Sequence, residues 1–324
     1  MRNFTQYAIN SGGTIVPLLI PSNMTNGTGT FNPSILNHNG RLYVCIRHCQ
    51  YTLYHSELNV NEHPYGPLVY LNPENDQTLT TTNYVGELDD NLAIKYLHPV
   101  NTSAHDRTPR WTFVGLEDAR LVCWDNQFYM LGVRRDTTTN GQGRMEASAI
   151  TISDRSVVET SRTRIPAPAP DVSYCEKNWM PIVDQPFTFV KWSNPCEVVR
   201  YENSQTTTIT LGPKPLFAWD LRGGSQVIRF GSNYLALTHE TQLFSSEAGR
   251  KNAKYTHKFV LWDESFNIIK ASNSFSFLDS DIEFCCGMTI YNDKLLITFG
   301  VQDNASYVLS IPSNTIDGLL HDIK

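Results

Sequence analysis

The feature that most constrains what this 324-residue chain can fold into is a hairpin that recurs in degenerate form along most of its length. Asn32-Pro-Ser-Ile-Leu36 leads to a turn at Asn39-Gly40 and returns as Arg41-Leu-Tyr-Val-Cys-Ile-Arg47. Asp118-Ala-Arg-Leu-Val122 turns at Asp125-Asn126 and returns as Phe128 to Arg134. Gly224 to Ile228 turns at Gly231-Ser-Asn233 and returns as Tyr234 to His239, and Gly287 to Ile290 turns at Asn292-Asp293 and returns as Leu295 to Gly300. A weaker copy runs from Lys177 to Pro181 and back through Phe187 to Lys191. Apolar, β-branched and aromatic runs around Asn, Asp and Gly pairs are the pattern of antiparallel strands joined by tight turns.

No window of 12 residues sustains the i, i+3, i+4 apolar spacing of a helix, so the chain reads as nearly all β. Five hairpins with companion strands predict a radial array, and a propeller blade of roughly 40–50 residues fits the length five times. The expectation is one domain, residues 1–324, a five-bladed β-propeller with an insert at about 50–110 between the first and second units. The Pro-rich stretch Ile165-Pro-Ala-Pro-Ala-Pro170 reads as an extended link between blades. A two-sheet sandwich is the structural alternative.

Composition removes several function classes. Charged residues are only 18 % of the chain and hydrophobic ones 40 %, which excludes a disordered tail. With 26 basic and 32 acidic residues and no Lys/Arg run longer than two, as at Arg134-Arg135, the broad positive footprint of a nucleic-acid binder is missing. No apolar stretch approaches the ~20 residues of a membrane span. The start, Met-Arg-Asn-Phe, lacks an apolar leader, and the seven cysteines are odd in number and scattered, so a reducing, cytoplasmic setting without disulfides is expected. No zinc-like spacing, phosphate-cradling Gly-rich loop or Asp-X-Asp element is present, so no metal or resident cofactor is expected.

The hairpin geometry places the start of each first strand beside the end of each second, away from the turn. Asn32 then lies near Arg47; Glu117, Asp118 and Arg120 lie near Arg134; Lys177 and Asn178 near Asn194; Arg222 near His239; and Glu283 near Asp303. In a propeller these ends gather around the axis. Arg, Asn and carboxylate groups together suit sugar hydroxyls and phosphates, paired carboxylates suit acid and base work at a glycosidic bond, and Trp111, Trp179, Trp219, Tyr255 and Tyr307 are possible stacking faces. Each residue alone is ordinary at a strand end or in a core; the repetition at one hairpin end is the signal.

In order, Asn32-Pro-Ser, Gly115-Leu-Glu-Asp-Ala-Arg120-Leu, Glu176-Lys-Asn-Trp-Met-Pro181, Arg222-Gly-Gly-Ser, His239, Tyr255-Thr-His-Lys, Glu283-Phe-Cys-Cys-Gly287 and Phe299-Gly-Val-Gln-Asp303 resemble the five-bladed propeller enzymes of glycoside hydrolase family 130, which include mannoside phosphorylases and mannosidases, and the related propeller mannosyltransferases. The resemblance covers roughly residues 28–312, and Glu-Asp-X-Arg is its most specific part. It implies inverting transfer at an anomeric carbon, with Asp118 as proton donor acting directly or through a sugar hydroxyl. It implies that Asn32 contacts the sugar, that Lys177, Asn178 and Asp303 line the pocket, and that inorganic phosphate or a nucleotide sugar is a possible co-substrate. Ala119 stands where the family has Pro, and Arg134, Arg135 and Arg144 are candidates for its phosphate-binding arginines.

Three functions remain in play from the sequence: a glycosyl-transferring enzyme (phosphorylase, transferase or hydrolase), a non-catalytic glycan-binding propeller, and a propeller that binds a protein or polymer. Asp118 beside Glu117, Arg120, Lys177 and His239 favours the first, with a carbohydrate or sugar phosphate as ligand. Strand alternation places Asp118 and Arg120 on one face and Glu117 on the other. A working acid near neutrality also implies an Asp118 pKa raised by burial, with Arg120 drawn off by a partner such as Glu283.

Overall fold

The computed structural model describes residues 3–54, 68–71, 73, 76–212, 220–245, 249 and 251–323. The described chain is almost entirely strand, and the turns explain why. Asn39-Gly40, Asp125-Asn126, Asn203-Ser204 and Asn292-Asp293 all carry positive φ at both positions. That is the turn whose twist matches paired strands, and Asn, Asp and Gly enter it at least cost.

The strands form consecutive antiparallel meanders. The first contains Thr30–His38, Arg41–Cys49, Leu79–Leu88 and Ile94–Asn101; the second contains Glu117–Trp124, Gln127–Arg134, Arg144–Ile152 and Val157–Arg164. These two join through a short parallel contact of Val100 and Asn101 with Val157 and Val158. The third contains Met180–Pro181, Thr188–Ser193, Cys196–Glu202 and Gln205–Leu211. The fourth is built on the long pair Asn233–Ser245 and Lys251–Trp262, flanked by Arg222–Gly223, Ile228–Phe230 and Ile268–Ser272, with Leu320–Asp322 added at its edge. The fifth contains Glu283–Tyr291, Lys294–Val301 and Ala305–Pro312, and Thr14–Pro17 completes it from the other end of the chain. The helix Phe4–Asn10 is capped by the Asn3 side chain, which accepts from the Gln6 amide at 2.9 Å, and it buries Phe4 and Ala8 against Phe259, Phe275 and Phe277.

The first strands of the meanders meet one another, which two stacked sheets would not require. The tie is Gln226, fully buried, a residue the sequence reading did not single out. Its Nε2 donates to Ile35 O at 3.0 Å and Leu121 O at 2.8 Å, while its Oε1 accepts from Met288 N at 3.0 Å. One amide thus joins the first, second, fourth and fifth strand sets. A buried polar group this well satisfied fixes the relative placement of the elements it joins. The seven cysteines, all within the described residues, are unpaired. Among the described residues no helix is long and apolar enough to cross a membrane, and no group of three His, Cys, Asp or Glu could hold a metal ion.

Candidate active site

A cavity of about 390 Å³ opens over the meeting point of the first strands. Its polar lining comes from several strand sets at once: Asn32 and Arg47, Glu117 and Asp118, Lys177 and Asn178, Arg222 and His239, and Asp303. Local backbone irregularity aims these groups. Asn32, Asp118, Asn178 and Asp303 all sit at positive φ, between 47° and 61°, a region that short polar residues tolerate best after glycine. In the first, second and fifth sets the strand register breaks at this level, between Phe31 and Ser34, opposite the Glu117 to Arg120 segment, and between Cys285 and Gly287. A bulge inserts an unpaired residue and re-aims its side chain.

The bulge overturns the simple alternation. Glu117 and Asp118 both line the cavity, whereas Arg120 lies beneath it, 1 % exposed. Arg120 is not drawn off by Glu283. Its Nη1 donates to the carbonyl of Asp118 at 2.7 Å, its Nε to Gly224 O at 2.9 Å, and its Nη2 reaches Asn178 Oδ1 at 3.4 Å. The guanidinium stitches three strand sets into the cavity floor.

Asp118 is held on one oxygen. Asn32 Nδ2 and Arg47 Nη1 each donate to Oδ1 at 2.8 Å. Arg47 also reaches Glu117 Oε2 at 3.5 Å, donates through Nε to Thr81 Oγ1 at 3.2 Å, and lies over the Phe31 ring. Burial pushes the Asp118 carboxyl up, but Arg47, Arg120 and the amide of Asn32 outweigh it, and its pKa falls below the ordinary carboxylate value. The expectation of a raised pKa is therefore reversed, because the Arg47 guanidinium is bonded to the carboxylate and the Arg120 guanidinium lies near it.

The remaining walls have distinct chemistry. His239 is 2 % exposed, and its pKa is lowered well below the usual value by burial and then by His257, Arg222, Lys177 and Arg120. Its Nδ1 lies 2.9 Å from the Gly223 carbonyl, so a neutral ring donates there and keeps Nε2 as the acceptor. Tyr255 stacks on His239 with centroids 5.5 Å apart, and burial with Asp303 and Asp118 pushes its phenol up to about 12. Asp303 accepts from the Tyr51 hydroxyl at 2.7 Å. Arg222 is half exposed and pairs with Asp220 at 2.9 Å.

Two more of the expected substrate contacts, besides Arg120, point elsewhere. Arg134 is buried between Glu146 and Asp136, which take up its guanidinium. Glu283 is fully buried and accepts from the backbone amides of Phe277, Leu278 and Ser280. It stabilises a turn beside the cavity. The other phosphate-site candidates are also occupied: Arg144 pairs with Asp171 and donates to Ser173 O, and Arg135 lies over the rings of Phe113 and Tyr174. Of the described aromatic candidates only Tyr255 lines the cavity. Trp179 is core, Tyr307 stacks on Phe299, Trp111 lies apart from the lining, and Trp219 lies outside the described residues. Tyr51, Thr241, Asn252 and Phe284 were missed; Tyr51 and Thr241 were reachable by continuing the strand alternation past Arg47 and His239.

No family model and no curated protein sequence matches the chain. Solved structures do. A β-1,2-mannobiose phosphorylase from Listeria innocua, in complex with β-1,2-mannobiose, superposes with a TM-score of 0.57 at 14 % identity, over 94 % of this chain and 99 % of that one. A structure reported for the GH130 family of mannoside phosphorylases, containing glycoside hydrolases that target β-1,2 mannosidic linkages in Candida mannan, matches with a TM-score of 0.55 at 14 % identity, over 87 % and 84 %. A mannose phosphorylase from Leishmania mexicana, in complex with a phosphate ion, matches with a TM-score of 0.53 at 11 % identity, over 99 % and 96 %. At these identities the likeness lies in the backbone, and the chain thus has the propeller fold of the GH130 mannoside phosphorylases and glycoside hydrolases.

Proposed function

We propose that this chain is a carbohydrate-active enzyme, built as a single five-bladed propeller, that transfers a glycosyl group in the cavity over its axis. The observation that carries the reading is the placement of Asp118 in that cavity, on one oxygen shared by Asn32 and Arg47, ringed by Lys177, Asn178, His239, Tyr255 and Asp303. The neighbours of this fold, described as acting on mannosides, support a glycoside as the ligand. In the proposed step Asp118 gives a proton to the departing glycosidic oxygen, directly or through a sugar hydroxyl. A water or phosphate oxygen attacks the anomeric carbon from the opposite face, so the configuration inverts; an attacking water gives its proton to a cavity carboxylate such as Asp303, whereas a phosphate dianion needs no base.

Asp118 as held by Arg47 is a carboxylate near neutrality and has to gain a proton before it can donate one. Sugar hydroxyls that compete for Asn32 and Arg47 would take hydrogen bonds off Oδ1 and raise its pKa. The test is to incubate the protein with β-linked mannosides, with and without inorganic phosphate, and follow the anomeric proton signals by NMR. Release of product with inverted configuration by the wild type, and its loss in Asp118→Asn, supports the reading. A second reading, a glycan-binding propeller, is favoured by the depressed Asp118 pKa, since a permanent carboxylate binds hydroxyls well. Saturable sugar binding with no turnover under any of these conditions would select it.

A further inference from the structure

The cavity changes character between floor and mouth. Among the described residues the hairpin Asn233–Ser245 and Lys251–Trp262 outruns its neighbour, because the strand Arg222–Gly223 pairs with it only at Thr238 and His239. Beyond that point, among the described residues, it continues as a paired ribbon, flanked at Tyr255 by Asp281, whose carbonyl accepts from the Tyr255 amide at 2.8 Å. Its facing pairs are His239 with His257, Thr241 with Tyr255, and Leu243 with Ala253. Residues two apart share a face of a strand. One side of the ribbon therefore climbs from a buried imidazole through a threonine and a tyrosine to a leucine. At ~3.3 Å per residue, Leu243 stands roughly 13 Å above His239.

A second wall repeats the gradient. The chain runs from Arg47, 8 % exposed and bound to Asp118, through buried Tyr51 to half-buried Leu53. Leu79, Phe113 and Ile282 also line the cavity. Leu243 is 63 % exposed. Among the described residues the polar side chains at this level are few, and the Asn252 amide oxygen already accepts from Ala253 N at 2.8 Å. A mouth of this kind offers a second sugar little to hydrogen-bond, and it gains from covering apolar area.

We propose that the mouth, centred on Leu53, Leu243, Ala253 and Ile282, is a subsite for an apolar aglycone, so that the substrate class is a glycoside whose sugar reaches Asp118 while an alkyl or aryl group lies against the ribbon. The proposal rests on reading the floor as a glycoside site. The experiment is calorimetric titration of the full chain with methyl and n-octyl glycosides of mannose and glucose in both anomers, below micelle-forming concentrations. For the sugar that binds, the octyl form is expected to bind at least tenfold tighter than the methyl form. Leu243→Asp should remove that advantage while leaving methyl-glycoside affinity within about twofold, and Leu243→Ser should remove part of it. Equal affinity of methyl and octyl forms, or an octyl advantage that survives Leu243→Asp, would overturn the aglycone subsite and leave the sugar site standing. So would octyl glycosides of every sugar binding alike, the sign of indiscriminate partition. No binding by any methyl or octyl glycoside would overturn both readings.

Discussion

Arg47 and Asn32 converge on the same atom of Asp118, each 2.8 Å from Oδ1. The convergence holds the carboxyl below its ordinary range despite burial. The sign of the linkage follows. A carboxyl with a lowered folded pKa contributes stability that is present above its unfolded value of about 3.9 and is lost as pH falls through the lower folded value. Asp118→Asn should therefore be less stable than the wild type at pH 6, with the gap closing between about pH 4 and lower values. Denaturant titrations across that range measure it, and a gap independent of pH would show that Arg47 does not act on this carboxylate. Turnover of the true substrate should fall by ~10²-fold or more in the same variant, the scale of general acid catalysis.

Two buried histidines set a second pH dependence. Burial alone takes His257 to about 3, and His239 is lowered by burial and neighbouring positive charge. Cys285 N donates to His257 Nε2 at 3.3 Å, which requires the neutral ring. A base with a lowered folded pKa gives stability that is complete above its unfolded pKa of about 6.5 and erodes as pH falls towards the folded value. For His257 alone the loss at pH 5 is about 2 kcal/mol. The wild type should lose melting temperature steadily from pH 7 to pH 4, and His257→Gln should be less stable at pH 7 but show a flatter profile. A variant profile parallel to the wild type would assign the acid sensitivity to other groups.

The hairpins were legible because turn chemistry and apolar alternation are local. Asn39-Gly40, Asp125-Asn126 and Asn292-Asp293 lie where the backbone needs two positive φ values, and Gly231 supplies the one its turn needs. The convergence of Asn32, Asp118, Lys177, His239 and Asp303 was also legible, since it follows from which hairpin end each occupies. Arg134 and Glu283 share those ends and still miss the cavity, because a sequence does not show which buried carboxylate or amide will claim a charged group. The Glu117–Asp118 bulge was hidden for a related reason. Alternation assumes an unbroken ladder, and the left-handed residue that breaks it is an aspartate; the glycine at the break, Gly132, lies on the opposite strand, where a Cβ would run into Glu117 O.

Gln226 offers a test of the axial tie. Replacing it by Leu keeps the approximate volume and leaves Ile35 O, Leu121 O and Met288 N without their partner. Each buried, unpaired backbone group costs about 1–3 kcal/mol, so Gln226→Leu should be destabilised by at least ~2 kcal/mol in denaturant unfolding. Gln226→Glu should be worse, because a carboxylate cannot donate to the two carbonyls. Wild-type stability in both would show that the strand sets are placed by apolar packing alone.

The last prediction concerns the nucleophile. Among the described residues three cations line the cavity, and Arg47 is committed to Asp118 and Glu117. Arg134 is locked in a buried ion pair with Glu146, and the buried Arg144 guanidinium pairs with the exposed Asp171, both outside the lining. Phosphate entering beside the sugar would therefore meet Lys177 and Arg222, while neutral His239 offers it no donor, because its Nδ1–H is held by Gly223 O and its Nε2 is an acceptor. If phosphorolysis is the reaction, millimolar phosphate should raise the wild-type melting temperature, as any ligand of the folded state does. Lys177→Met should then weaken phosphate binding by about tenfold or more, the size of one hydrogen bond to a charged group, with methyl-glycoside affinity nearly unchanged. Arg222→Gln should have a smaller effect, because Arg222 already pairs with Asp220 at an exposed position. If phosphate leaves the wild-type melting temperature unmoved, water or an acceptor hydroxyl takes its place, and Lys177→Met should instead alter sugar affinity.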